Sequence, residues 1–209
     1  MWQRNVAIND MKHPDRQPFT VCVYAASSKT CHEKFKDAAR RLGVFLAGKG
    51  FSIIYGGGAA GLMGCVADGA LSQGGRVVGV LPRFMKDLEW GHTGLSELKL
   101  VEDMHTRKHQ LLSTSNAVVA LPGGSGTLDE LLEAITLKRL GLYTGPIVLV
   151  NTRGFFQPLL DQFASAIQER FMDQRHAQMW QVVDEPEQVG AAFDAATPWS
   201  EEARAFATQ

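Results

Sequence analysis

Short apolar runs rich in β-branched residues alternate along this chain with longer stretches whose apolar positions recur every three or four residues. Strands buried on both faces read as continuous apolar runs, and amphipathic segments between them supply covering helices. The pattern predicts strands at Thr20–Tyr24, Ser52–Tyr55, Val77–Leu81, Leu98–Val101, Ala117–Leu121 and Ile147–Val150. Helices are expected between them at His32–Lys49, Gly61–Gln73, His105–Ser115 and Leu128–Leu140. Phe155, Leu159, Phe163 and Ile167 continue at helical spacing, while Trp180–Val183 and the residues from Pro186 onward predict a closing strand and a short helix. The expected fold class is α/β, a doubly wound parallel sheet with helices on both faces. Such Rossmann-like sheets bind ligands beyond the carboxyl ends of their strands, so chemistry is sought in the loops leaving those ends.

Composition narrows the partners. The 209 residues, 45% hydrophobic and 21% charged, suit one substantial core. A single domain over residues 18–197 is expected, with polar, flexible tails at 1–17 and 198–209. A net charge of −1 offers no global attraction to nucleic acid or an anionic membrane, so an anion site must be built locally for a small molecule. Cys22, Cys31 and Cys65 are scattered, with no CxxC pair and no histidine at zinc-ligand spacing, and reduced thiols without a metal are expected. His32, His92, His109 and His176 are read as surface or hydrogen-bonded histidines. The N-terminal stretch lacks the apolar core of a signal peptide and no later run reaches membrane-span length, which predicts a cytoplasmic protein.

Three loops carry candidate chemistry. Leu121-Pro122-Gly123-Gly124-Ser125-Gly126-Thr127-Leu128-Asp129-Glu130 joins an apolar strand to an amphipathic helix. Glycines permit close backbone approach, and free N–H groups with the helix dipole favour a phosphate. The same residues also read as a tight turn followed by a Thr127-x-x-Glu130 capping box. No lysine follows Gly126, which argues against a P-loop. Tyr55-Gly56-Gly57-Gly58-Ala59-Ala60-Gly61 contains G-x-G-x-x-G between strand and helix, yet the acidic residue of a dinucleotide site is missing at the next strand end. This loop is read as a second approach of backbone to ligand, through Gly57 and Gly58. Met104-His105-Thr106-Arg107-Lys108-His109 places adjacent cations at a helix start, where the dipole disfavours them unless an anion is near; a solvated basic turn is the plainer alternative. Ser27 and Ser28 after the first strand could add phosphate contacts. Asp129 and Glu133 are read as a solvated face, and Leu128, Leu131, Leu132 and Ile135 as a core stripe.

Together, Tyr55-Gly56-Gly57-Gly58 with Gly61-Leu62-Met63-Gly64, Met104-His105-Thr106-Arg107-Lys108, and Pro122 through Glu130 resemble the LONELY GUY (LOG) family of cytokinin riboside 5′-monophosphate phosphoribohydrolases, long labelled "lysine decarboxylase-like". The resemblance runs from about Val21 to Val183. It implies a Rossmann-like fold, a homodimer or higher homo-oligomer, no cofactor, and hydrolysis of the N-glycosidic bond of AMP-type nucleotides. By resemblance Arg107 and Glu130 are the catalytic pair, and Gly123, Gly124, Ser125, Gly126 and Thr127 the phosphate loop. Met104 and Lys108 flank the nucleotide. The first loop departs from the family, with Ala25-Ala26-Ser27-Ser28 where Cys-Gly-Ser-Ser is usual, which weakens Ser27 as a contact.

Cleaving an N-glycosidic bond passes through a ribosyl cation-like state, needing negative charge at the anomeric carbon, a placed water and help for the leaving base. Glu130 is expected to supply the first two, and Arg107 to orient the nucleotide and stabilise the departing base. A non-catalytic carrier of a nucleotide or molybdopterin-type cofactor is the rival reading. True lysine decarboxylation would require a lysine Schiff base to pyridoxal phosphate, for which Lys108 has no context.

Overall fold

The structure, a computed structural model, describes residues 18–87 and 91–207. Seven parallel strands form one sheet: β1 (Thr20–Tyr24), β2 (Ser52–Tyr55), β3 (Val77–Pro82), β4 (Glu97–Val101), β5 (Ala117–Ala120), β6 (Ile147–Val150) and β7 (Gln181–Val183). Their order is β4-β3-β2-β1-β5-β6-β7. The chain winds outward from β1 to β4, then crosses to the other side of β1 to begin β5. That reversal defines a crevice above the β1 and β5 ends.

Residue alternation along the strands sorts the core into two layers. Val21, Val23, Ala117, Val119, Val148 and Val150 face one cluster, whereas Cys22, Tyr24, Val118, Ala120, Ile147 and Leu149 face the other. Both sets are buried, which is why these strands read as unbroken apolar runs. Helices α1 (Glu33–Gly48) and α2 (Gly61–Leu71) pack together by backbone approach. A β-carbon on Gly43 would overlap the Val66 carbonyl, and one on Gly69 the Arg40 carbonyl. On the opposite face lie α4 (Met104–Ser113), α5 (Ser125–Arg139) and α6 (Gln157–Gln168), with α3 (Arg83–Asp87) a short helix after β3 and α7 (Val189–Ala195) near the chain end. The pattern of the sequence does not announce α3, whose five residues are too few to show a period.

Four expectations need correction. Helix α5 begins at Ser125 with Gly124 as its N-cap, so Thr127 sits third in the helix and Glu130 sixth. The capping-box reading fails because neither side chain stands at the helix start, and no side chain caps it. Helix α4 begins one residue earlier than expected, at Met104, because the Asp103 carboxylate accepts the Thr106 amide at 2.7 Å. Leu132 is 40% exposed while Leu131 and Ile135 are buried, since the inward stripe runs through Thr127, Glu130, Leu131, Ala134, Ile135 and Lys138.

The fourth concerns residues 198–207, expected as a tail. They pack against the α5 end, with Trp199, Ala203 and Ala207 buried. The last carbonyls of a helix lack internal donors, and here this segment provides them. The Trp199 indole donates to the Lys138 carbonyl at 2.6 Å, and Arg204 Nε to that of Leu140 at 3.0 Å. The expected 1–17 tail lies outside the described residues. Cys22 is buried and Cys31 and Cys65 are half-buried, all three as free thiols. No described helix is long and apolar enough to cross a membrane.

Candidate active site

The two candidate catalytic residues come from different helices and meet in the protein interior. Arg107 Nη1 donates to Glu130 Oε1 at 2.5 Å, and the residues are 7% and 8% exposed. Arg107 Nε also donates to the Val80 carbonyl at 3.1 Å, and Nη2 to the Gly56 carbonyl at 3.5 Å. The guanidinium thus spans the carboxyl end of β3, the loop after β2, and α5. Three acceptors of fixed geometry suit a planar guanidinium better than a flexible ammonium. Burial lifts the Glu130 carboxyl above the usual carboxylate range, and the Arg107 charge draws it part of the way back.

Lys108, one residue on, ties the same two helices together at the rim. Its ammonium lies 3.2 Å from Asp129 and 3.0 Å from Glu133, so those acids are not a merely solvated face. Hydrogen bonds to Glu133 and Asp129 hold the ammonium above its ordinary pKa. The anions that the α4 cations call for are therefore supplied, in the free protein, by α5 itself. Met104 opens α4 and is 37% exposed.

The α5 start is the other element of the site. Gly123 is half-buried, whereas Gly124, Ser125 and Gly126 are exposed. A β-carbon on Gly123 would overlap the Thr127 hydroxyl, so this glycine lets the buried Thr127 close under the loop. Gly124 and Gly126 have open space where a β-carbon would stand. Glycine inside a helix costs about 0.5–1 kcal/mol relative to alanine, and no neighbouring protein group demands it at Gly126.

The glycines after β2 serve several ends. Gly57 adopts φ +78°, the left-handed region where glycine carries no β-carbon penalty. Gly58 accepts the Tyr55 hydroxyl at 3.1 Å. A β-carbon on Gly61 would press into the backbone of Ser27 and Ser28, and the Met63 amide donates to the Ala26 carbonyl. Gly56, Gly57 and Gly58 are all buried, and Ser27 is exposed on the loop that rests against Gly61. Ala26 lies outside the left-handed region, so alanine fits that loop without backbone strain.

Three histidines, His32, His92 and His176, are engaged away from this pair. His32 caps α1, His92 lies 3.0 Å from Asp68, and His176 accepts the Asp173 amide through Nδ1. Among the described residues no group of three or more acidic, histidine or cysteine side chains could hold a metal. Depressions of about 420 Å³ between β7 and α7 and about 270 Å³ beside Lys29, Lys36 and Gly61 include neither Arg107 nor Glu130 in their linings. Charge pairing at the strand ends, rather than cavity size, marks the site. Sequence reasoning missed Gly56 as a partner of Arg107. It also missed Lys138, a basic residue falling on the apolar period of α5.

The family described as "Possible lysine decarboxylase" matches residues 63–193. A probable cytokinin riboside 5′-monophosphate phosphoribohydrolase of Oryza sativa subsp. japonica is 41% identical over 152 residues, covering 73% of this chain and 68% of that protein. A cytokinin riboside 5′-monophosphate phosphoribohydrolase of Arabidopsis thaliana is 40% identical, covering 73% and 71%. The chain belongs to this LOG family. Among solved structures, the molybdenum cofactor carrier protein of Chlamydomonas reinhardtii superposes with a TM-score of 0.67 at 23% identity, covering 86% of this chain and 98% of that one. The molybdenum cofactor binding protein of Rippkaea orientalis gives 0.64 at 19%, covering 87% and 98%. These two share the Rossmann-like fold.

Proposed function

We propose that this chain hydrolyses the N-glycosidic bond of adenosine 5′-monophosphates, plain or N6-modified, to free base and ribose 5-phosphate. The observation that carries this reading is the buried Arg107–Glu130 pair, whose carboxylate sits on the helix whose uncapped start carries the glycine loop. The amides of Gly123 to Thr127 receive the phosphate, favoured by the helix dipole. Open space at Gly124 and Gly126 leaves room for it. Glu130 lies five residues further along α5 than Ser125, on its inward stripe. With Oε1 held by Arg107, Oε2 faces the ribose, opposes positive charge at the anomeric carbon and takes a proton from the attacking water. The hydroxyl joins the anomeric carbon, the glycosidic electron pair leaves with the base, and the base nitrogen is protonated. Arg107 orients the nucleotide and steadies the charge of the departing base.

Gly57, Gly58, Ser27, Met104 and Lys108 frame the nucleotide around this centre, Lys108 with its charge already balanced by Asp129 and Glu133. The enzyme acts in the cytoplasm as a homodimer or higher homo-oligomer, without a cofactor. Purified protein incubated separately with AMP and with isopentenyladenosine monophosphate tests the reaction. Equal amounts of base and ribose 5-phosphate are expected. Tight nucleotide binding with no base released from either would instead mark a carrier.

A further inference from the structure

We propose that Gly56 is a positioning residue for Arg107, and that the glycine run after β2 opens with an arginine seat. The inference rests on the reading of Arg107 and Glu130 as the reacting pair. A β-carbon on Gly56 would overlap Arg107 Nη2, and would stand 3.3 Å from Cζ and 3.1 Å from Met63 Sδ. The arginine cannot simply swing aside. Its Nε is bonded to the Val80 carbonyl, its Nη1 to Glu130, and the residue is buried. Met63 blocks the adjoining space. Absence of a side chain at this position is therefore what lets the guanidinium reach Glu130 while its third arm lies against the Gly56 carbonyl.

The requirement is steric and not conformational. Gly57 and Gly61 have positive φ, and Gly56 does not, so an alanine there finds an ordinary backbone. Its methyl group meets the guanidinium directly. This accounts for a G-x-G-x-x-G spacing that lacks the acidic residue of a dinucleotide site: its first glycine accommodates an arginine and its third, Gly61, accommodates the backbone of Ser27 and Ser28.

Gly56→Ala tests the inference, with Gly43→Ala, which crowds the α1–α2 contact away from Arg107, as a control for general destabilisation. Displacing the guanidinium weakens the positive charge beside Glu130, so the carboxyl binds its proton more readily. In Gly56→Ala the acidic limb of kcat/KM is expected to move up by about one pH unit, and kcat to fall about 10- to 100-fold. KM for AMP is expected to stay near the wild-type value. Gly43→Ala should leave the limb in place. The Glu130 carboxyl is also titrated directly by carbon-13 NMR, with Glu130→Gln identifying the signal, and its midpoint should rise in Gly56→Ala. A wild-type midpoint there overturns the inference. If the wild-type protein releases no base while the midpoint still shifts, the proposed reaction falls and the arginine seat stands. Should Gly56→Ala not fold, Arg107→Lys/Gly56→Ala decides. Its folding supports a clash confined to the guanidinium, and its failure overturns it.

Discussion

Arg107, fourth residue of α4, and Glu130, sixth of α5, form a 2.5 Å ion pair shut inside the protein. Glu130→Gln keeps the oxygen that accepts from Arg107 but removes the charge. Base release from AMP is expected to fall by about 100-fold or more, while the melting transition and nucleotide binding persist. Chromatographic product assay with calorimetry checks this, and wild-type turnover would remove the carboxylate from the reaction.

Removing one partner of a buried pair leaves the other charge unmatched, at a cost of about 3–5 kcal/mol, whereas replacing both with apolar groups of similar volume is often neutral. Arg107→Met alone is therefore expected to lower stability sharply. Arg107→Met with Glu130→Met is expected to regain most of that loss and to remain inactive. Denaturant melts of the three proteins show whether the pair serves chemistry more than folding.

The raised Glu130 carboxyl also sets two pH effects. The reaction needs the carboxylate, so kcat/KM falls as pH drops through the lifted pKa, above the ordinary carboxylate value of about 4.3. For stability the sign is opposite. The folded state holds this proton more tightly than the unfolded chain, so the contribution of Glu130 to stability declines as pH rises from the ordinary value through the lifted one. Glu130→Gln should abolish that decline, seen as the wild-type minus variant difference in unfolding free energy against pH.

Gly126 offers a test of the phosphate loop. Nothing lies within 4 Å of a β-carbon placed there, and alanine is the better helix former. Gly126→Ala is expected to gain about 0.5–1 kcal/mol in stability while raising KM for AMP, since the methyl group would narrow the ligand's approach. A gain in stability with unchanged KM would place the phosphate elsewhere.

Lys138 lies beneath the segment formed by residues 198–207. It is 1% exposed, donates to the Gly145 carbonyl at 2.7 Å, and has the Trp199 ring 5.8 Å from its ammonium. Burial pulls its pKa down to about 8. The unfolded chain keeps this proton up to about 10.4, so between those values the unfolded state binds more protons and this group's contribution to stability rises with pH. Buried thiol and phenol groups such as Cys22 and Tyr143 act in the opposite direction, so the comparison must be differential. The wild-type protein should gain stability relative to Lys138→Met between pH 8 and about 10. A flat difference would mean that the amine is not the titrating group.

Local pattern was enough for much of the architecture. Runs such as Val21–Tyr24 and Ile147–Val150 are apolar at every position because both sheet faces are covered, and that requirement is written residue by residue. The glycines before α5 and the cations of α4 were legible for a related reason, since each departs from what its own helix would prefer. Lys138 could also have been suspected, because it interrupts an apolar stripe at helical spacing. Three things were decided only by the tertiary structure: that Arg107 and Glu130 are in direct contact inside the protein, that Gly56 yields space to the guanidinium, and that Trp199 caps the end of α5. Helical and strand periods record how deeply a residue is buried, not which distant residue it meets. That depends on the crossover that places β5 beside β1 and so brings α4, α5 and the loop after β2 to the same end of the sheet.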